Sequence, residues 1–168
     1  MITGFQLRAA IASTKLFTKE ISEIINLHQV TLLRLKRTPN LEYLNCHSKN
    51  FLKLEDFFRK QSIIFPEIHK IKLISDNFKL IRTGHPVITR FQLVVARTAT
   101  GLTQLELSNQ IGISSATLSS LENLENEEFI YSKKVKVSLL KSFFEHLGIV
   151  FEDNFTIALI KDPKKFIS

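Results

Sequence analysis

The hydrophobic and polar positions of this chain follow the same order twice, at a constant offset of 86 residues. Phe57-Phe58 aligns with Phe143-Phe144, and Ile63-Ile64-Phe65 aligns with Ile149-Val150-Phe151, with no gap between the two matches. A chance similarity would lose its register over such a distance, whereas a duplicated domain keeps it. The pattern therefore predicts two versions of one design, which we call the first copy and the second copy.

Each copy is predicted to open with a helix. Thr3 and Gln6 have the spacing of a capping box, as do Thr89 and Gln92, and apolar residues follow both boxes at helical spacing. Two further short helices are predicted downstream in each copy.

A tight turn is predicted between the second and third helices of both copies. Gly112 in the second copy aligns with Asn26 in the first, and Gly and Asn are the residues that best tolerate positive φ. Ser114 is placed to cap the third helix of the second copy, and His28 holds the same position in the first.

An amphipathic helix at about 51–61 and 135–147 precedes a region in which the hydrophobic period changes to two. That alternation predicts short β-hairpins at about 63–74 and 149–160. A copy of about 80 residues buries only some 60% of its unfolded surface, which is a marginal core. We therefore expect the hairpins to join the two copies through one sheet.

These elements predict a mainly α protein with two tandem domains, each ending in a short β-hairpin. The boundaries fall at residues 1–74 for the first domain and 88–162 for the second. The linker between them, 75–87, contains Gly84-His85-Pro86, which indicates a bend.

Charge separates the two copies more sharply than hydrophobicity does. The chain of 168 residues carries a net charge of +7, and residues 1–86 hold 14 Lys and Arg against 7 Asp and Glu. Residues 87–168 hold 9 of each sign, so the whole basic excess lies in the first half. Such an excess favours a polyanionic partner, most often nucleic acid, although it also serves solubility.

Catalytic and membrane functions find little support in the sequence. The five histidines lack metal-ligand spacing, and no phosphate-binding loop, dinucleotide fingerprint or nucleophile elbow is present. Cys46 is the single cysteine, which favours a reducing compartment. No apolar run approaches the ~18 residues of a membrane span, and the N-terminus lacks a basic signal-peptide region. We expect a cytoplasmic, nucleoid-associated protein without enzymatic activity, cofactor or metal.

The stretch from Gly101 to Asn123 resembles the XRE-type helix-turn-helix of phage repressors and their bacterial relatives. Gln104 early in one helix, Gly112 in the turn and Ser114 before the next helix carry this resemblance. It implies two tandem lambda-repressor-like helix-turn-helix domains, since the first copy aligns with the second throughout.

The resemblance also implies which residues contact DNA. Positions that read bases in this family fall on Gln29, Val30, Thr31 and Arg34 in the first copy and on Ser115, Ala116, Thr117 and Ser120 in the second. The helix-two position that bonds a phosphate falls on Thr18 and Gln104. Lys36 and Arg37, at the end of the first recognition helix, suit phosphates as well.

The two predicted recognition helices differ in chemistry. Gln29 can pair with adenine and Arg34 with guanine, whereas the second copy offers small hydroxyls and a methyl group suited to thymine methyl contacts. The acidic run at 122–128 follows the second helix and is expected to repel phosphate. The cations of the first helix also fit an ordinary solvated surface.

The sequence thus predicts a sequence-specific regulator of transcription that binds double-stranded DNA and represses by occupying its operator. The duplication would supply a pseudo-dimer within one chain, with a homodimer left open. The alternative is a protein-binding module of antitoxin or antirepressor type, with the neutral second copy and its acidic loop holding a protein partner.

Overall fold

A computed structural model describes residues 1–75, 87–130 and 136–163. Within these ranges the first copy forms α1 (Gly4–Ser13), α2 (Thr18–Ile24), α3 (Gln29–Lys36), α4 (Ser48–Lys60), β1 (Ile63–Ile64) and β2 (Lys70–Leu73). The second copy forms α5 (Arg90–Thr100), α6 (Gln104–Ile111), α7 (Ser115–Glu122), α8 (Val137–His146), β3 (Ile149–Phe151) and β4 (Thr156–Leu159). The described residues thus combine eight helices with four short strands, in a mixed but mainly helical architecture.

Two of the sequence predictions meet the edges of the described ranges. Most of the predicted linker, residues 76–86, lies outside them, and so does residue 135 at the predicted start of the last helix. The amphipathic helix of the first copy begins three residues earlier than predicted, at Ser48, and ends at Lys60.

Local capping and turn signals explain where the helices begin and end. The predicted capping boxes are confirmed, because Thr3 and Gln6 satisfy each other's backbone amides, as Thr89 and Gln92 do. The predicted turn is confirmed as well, with φ of 48° at Asn26 and 69° at Gly112.

The two hairpins form one antiparallel sheet in the order β1-β2-β4-β3, which confirms that they join the copies. Ile71 lies opposite Ile157, while Lys70 faces Ala158 and Lys72 faces Thr156. Ile71 and Ile157 are 86 residues apart, so equivalent residues of the two copies face each other at the centre of the sheet.

Helices α1 and α5 pack against each other beside this sheet, and one hydrophobic core runs through both copies. Reciprocal hydrogen bonds accompany the packing. Asn40 donates from Nδ2 to the carbonyl of Ala99 at 3.1 Å, and Asn126 donates from Nδ2 to the carbonyl of Ser13 at 3.1 Å. These are equivalent bonds in opposite directions, so each copy holds the other in the same way.

Candidate nucleic-acid interface

Helix α3 is anchored by one side and exposed on the other. Leu32 and Leu35 are buried in the core, at 0% and 1% exposure. Gln29, Val30 and Arg34 therefore lie on the solvent side, with Thr31 half-buried among them. These four predicted base-reading residues are brought together, and we call them the α3 face.

Helix α7 has the same orientation in the second copy. Leu118 and Leu121 are buried, while the four predicted residues form an α7 face that consists of Ser115, Ala116, Thr117 and Ser120. Their hydroxyls are partly engaged within the helix: Ser120 Oγ donates to the carbonyl of Ala116 at 3.0 Å, and Thr117 Oγ1 lies 2.8 Å from Ser114 Oγ. The α7 face offers no side chain long enough to reach far into a groove.

Two of the predicted phosphate contacts bind each other in the first copy. Lys36 Nζ donates to Thr18 Oγ1 at 2.9 Å, across the gap between α3 and α2. The Lys36 ammonium is half-buried, and this burial lowers its pKa, with the nearby Arg8 guanidinium adding to the effect. The Lys36 ammonium is thus held against α2 and remains only partly exposed to solvent.

The equivalent pair of the second copy carries the opposite charge. Gln104 stands at the position of Thr18, and Glu122 stands at that of Lys36. Gln104 Nε2 donates to Glu122 Oε2 at 2.9 Å, and Arg97 also donates to that oxygen, at 2.8 Å. Glu122 is only 7% exposed. The side-chain amide of Gln104 is therefore already engaged with a buried carboxylate.

Arg34 and Arg37 are exposed cations at the C-terminal half and end of α3. Arg37 follows the last residue of α3, and Arg34 lies on the α3 face near the Cys46 thiol. Burial raises the pKa of Cys46, and the positive charge of Arg34 partly offsets that rise. The exposed side of α3 is therefore cationic at neutral pH.

An arginine to which no sequence motif points fixes the end of α3. Arg8, on α1, donates to the carbonyl of Lys36 at 2.7 Å and also to the carbonyl of Thr38 and to Asn40 Oδ1. Carbonyls at a helix C-terminus have no partner within the helix. Arg8 supplies that partner and so holds α3 in a fixed orientation on α1.

Arg90 does the same for α7, although it stands at a different position. Arg90 Nε donates to the carbonyl of Glu122 at 2.8 Å, and its Nη1 donates to Asn126 Oδ1. Glu122 and Asn126 are the equivalents of Lys36 and Asn40. The acceptors are thus shared by the copies while the donor position is not.

Aligning the two copies gives a sequence signal for Arg8 and Arg90. Arg90 aligns with Gly4, and Arg8 aligns with Val94, so each copy has one arginine at one of two positions four residues apart. Residues four apart lie on the same face of a helix. Gly4 is required in the first copy, because a Cβ there would lie 2.1 Å from the carbonyl oxygen of Thr38.

The acidic run after α7 is less free than the sequence suggested. Lys15 of the first copy forms an ion pair with Glu125, with Nζ 2.8 Å from Oε1, and this hydrogen bond lowers the pKa of Glu125. Glu128 accepts a hydrogen bond from the backbone amide of Glu125 at 2.6 Å. With Glu122 buried, part of the predicted repulsion of phosphate is already compensated within the protein.

Comparisons with protein-family models, with curated proteins and with solved structures return no match. Among the described residues, no cluster of three or more His, Cys, Asp or Glu side chains is arranged to hold a metal ion. In the same ranges no helix is both long and apolar enough to cross a membrane.

Proposed function

We propose that this protein is a sequence-specific regulator of transcription that binds double-stranded DNA through two lambda-repressor-like helix-turn-helix domains. The observation that carries the proposal is the α3 face. It is an exposed polar and cationic surface on a short helix that follows a tight turn and is anchored by two buried leucines. Recognition helices of this kind enter the major groove with their first residues against the bases.

The side chains of the α3 face fit particular base edges. The Arg34 guanidinium matches the two acceptors of guanine, the Gln29 amide matches the donor and acceptor of adenine, and Val30 suits a thymine methyl group. Arg37, at the end of the helix, suits a phosphate. Occupation of an operator in this way would repress transcription, with the two copies acting as a pseudo-dimer within one chain.

Binding to duplex DNA at several salt concentrations tests this proposal. A protein that neutralises phosphates loses affinity steeply as salt rises. Arg34→Ala should cost about 1–3 kcal/mol on a selected sequence. Arg59→Ala is the control, because Arg59 is an exposed arginine of the same copy that belongs to α4 and not to α3. A flat salt dependence, or equal losses in both variants, would contradict the proposal.

A second candidate function is a protein-binding module of antitoxin or antirepressor type. The observation in its favour is that the α7 face and the residue after α7 lack a long cationic side chain, because the positions of Arg34 and Arg37 carry Ser120 and Asn123 there. A protein held by this surface would stay bound at salt concentrations that release DNA. If rising salt abolished every interaction of the protein, including any with a protein partner, at the concentration that releases DNA, this second function would be contradicted.

A further inference from the structure

We infer that one chain recognises a non-palindromic DNA site of two unlike halves, with the half under α3 carrying most of the sequence preference. This inference rests on the proposed function and specifies its substrate. The chain joins two equivalent helices in a fixed arrangement and gives them unlike faces.

The fixed arrangement comes from contacts that run in both directions between the copies. Ile71 and Ile157 face each other in the sheet, and the Asn40 and Asn126 side chains each bond a backbone carbonyl of the other copy. Both asparagines lie in the loops that follow α3 and α7. The two helices are therefore held to the same body in equivalent ways, as the recognition helices of a dimer are.

The faces of these helices differ at three of four positions. Equivalent residues are Gln29 and Ser115, Val30 and Ala116, and Arg34 and Ser120. An arginine can bond both acceptors of guanine from a distance, whereas a serine needs a much closer approach and distinguishes bases poorly. Only the half-site under α3 can therefore be read by long polar side chains.

The charges at the helix ends differ in the same sense. Lys36 and Arg37 follow the α3 face, while Glu122 and Asn123 follow the α7 face. These two positions of α7 offer phosphate no cation, and Lys15 of the first copy, which bonds the Asn123 carbonyl, is paired with Glu125. The second half-site should therefore add less affinity.

A symmetric dimer reads an inverted repeat because identical helices meet identical half-sites. In this chain the helices are equivalent in place and different in chemistry. Its preferred site should consequently combine one strongly specified half with one weakly specified half, in a single orientation, and should be filled by one chain.

Selection from a random double-stranded DNA library tests the inference. The wild-type protein should enrich a site without an inverted repeat. Base changes in the strong half should weaken binding about 5- to 150-fold and changes in the other half much less. Sedimentation of the protein with the selected duplex should give one chain per site.

Exchanging the faces makes the test sharper. In one variant the α7 face receives the α3 residues, as Ser115→Gln, Ala116→Val and Ser120→Arg together. All three are exposed, so the fold should survive, and a thermal melt checks this. This variant should select an inverted repeat of the strong half-site. The reverse exchange, Gln29→Ser, Val30→Ala and Arg34→Ser, should lose most of the sequence preference while still folding.

Each alternative result has a distinct meaning. An inverted repeat selected by the wild-type protein would overturn the inference, and so would a folded α7 exchange variant that selects the unchanged wild-type site, because α7 would then not lie over DNA. Absence of any enriched sequence, with a flat salt dependence, would instead remove the proposed function, and the inference would fall with it.

Discussion

The two copies share what shapes the backbone and differ in the charge of their third helices. Capping boxes, the turn between the second and third helices and the strand register recur at the same places. The side chain at the end of the third helix, in contrast, is a lysine in one copy and a glutamate in the other. The comparison teaches that this fold accepts a half-buried lysine or a buried glutamate at equivalent positions, provided that a partner for each lies within reach.

The largest difference between the copies should be seen when the residue at the end of the third helix is replaced by alanine. Glu122 is buried and bonded by Arg97 and Gln104, so Glu122→Ala leaves a nearly buried guanidinium without its partner. Breaking such a pair costs about 3 kcal/mol in free energy of unfolding. Lys36→Ala, the matched change, should cost less than about 1 kcal/mol, because the ammonium keeps access to water. Urea denaturation measures both, and equal losses would show that the two sites are energetically alike.

The centre of the sheet should respond alike in both copies. Ile71→Val and Ile157→Val each remove one methylene group from a fully buried side chain, and each should cost about 1 kcal/mol of unfolding free energy. The two residues face each other, so their costs should agree, and the double variant should deviate from additivity. Clearly unequal costs in urea denaturation would break the equivalence of the copies at this point.

The ends of α1 and α5 offer a smaller test. Gly101 follows α5 with φ of 76°, and its equivalent, Lys15, has φ of 61° in the region that disfavours side chains. Lys15→Gly should raise the free energy of unfolding by about 0.5 kcal/mol after loss of its exposed ion pair with Glu125, and Gly101→Lys should lower it by about 1 kcal/mol. Glu125→Gln isolates the ion pair. This account would be contradicted if Lys15→Gly lowered the free energy of unfolding while Glu125→Gln, which removes the same ion pair, did not.

The smallest expected effect depends on pH. His69 lies where the second copy has Phe155, and its Nδ1 is buried without a hydrogen-bond partner among the described residues. Burial lowers the pKa of His69, so the folded state binds this proton less readily than the unfolded state, whose pKa is about 6.5. Above the unfolded pKa, His69 is neutral in both states and the free energy of unfolding is not reduced. As the pH falls from that value towards the folded pKa, protonation of the unfolded state lowers the free energy of unfolding.

Thermal melts at neutral and mildly acidic pH measure this loss. His69→Asn is the suitable variant, because His69 has φ of 59° and Asn tolerates that conformation. The variant should lose less stability than the wild type between the two pH values. An identical loss in both proteins would assign the effect to other groups.

The features that could be predicted from the sequence are those set by residues close together in the chain. Thr3 with Gln6 predicts a helix start, and Asn26 with Gly112 predicts a turn, because capping and positive φ depend on local geometry. The joining of the hairpins could be predicted from the small size of each copy, because so small a domain has a marginal core. The residues of the α3 and α7 faces are predicted from the resemblance to the XRE-type helix-turn-helix, and helical spacing agrees with it, because that spacing decides which side the leucines occupy.

The partners of the predicted site residues could not be found in this way. Lys36 meets Thr18, and Glu122 meets Arg97, only after helices distant in the chain pack together. Lys15 reaches Glu125 across the two copies, and no local pattern indicates a contact between residues 110 apart. The sequence therefore predicts the charge of the acidic run but not the cation that partly neutralises it.

The Lys15–Glu125 pair has a consequence for how such a protein can change. In a symmetric homodimer, every substitution occurs at two places at once, and any contact away from the axis is made twice. Here the equivalents of the two residues are Gly101 and Pro39, so the contact exists once. Because the two copies are parts of one chain, equivalent positions on the two sides of the interface are encoded separately. Binding surface and self-contact can then be altered one side at a time, which a pair of identical chains does not permit.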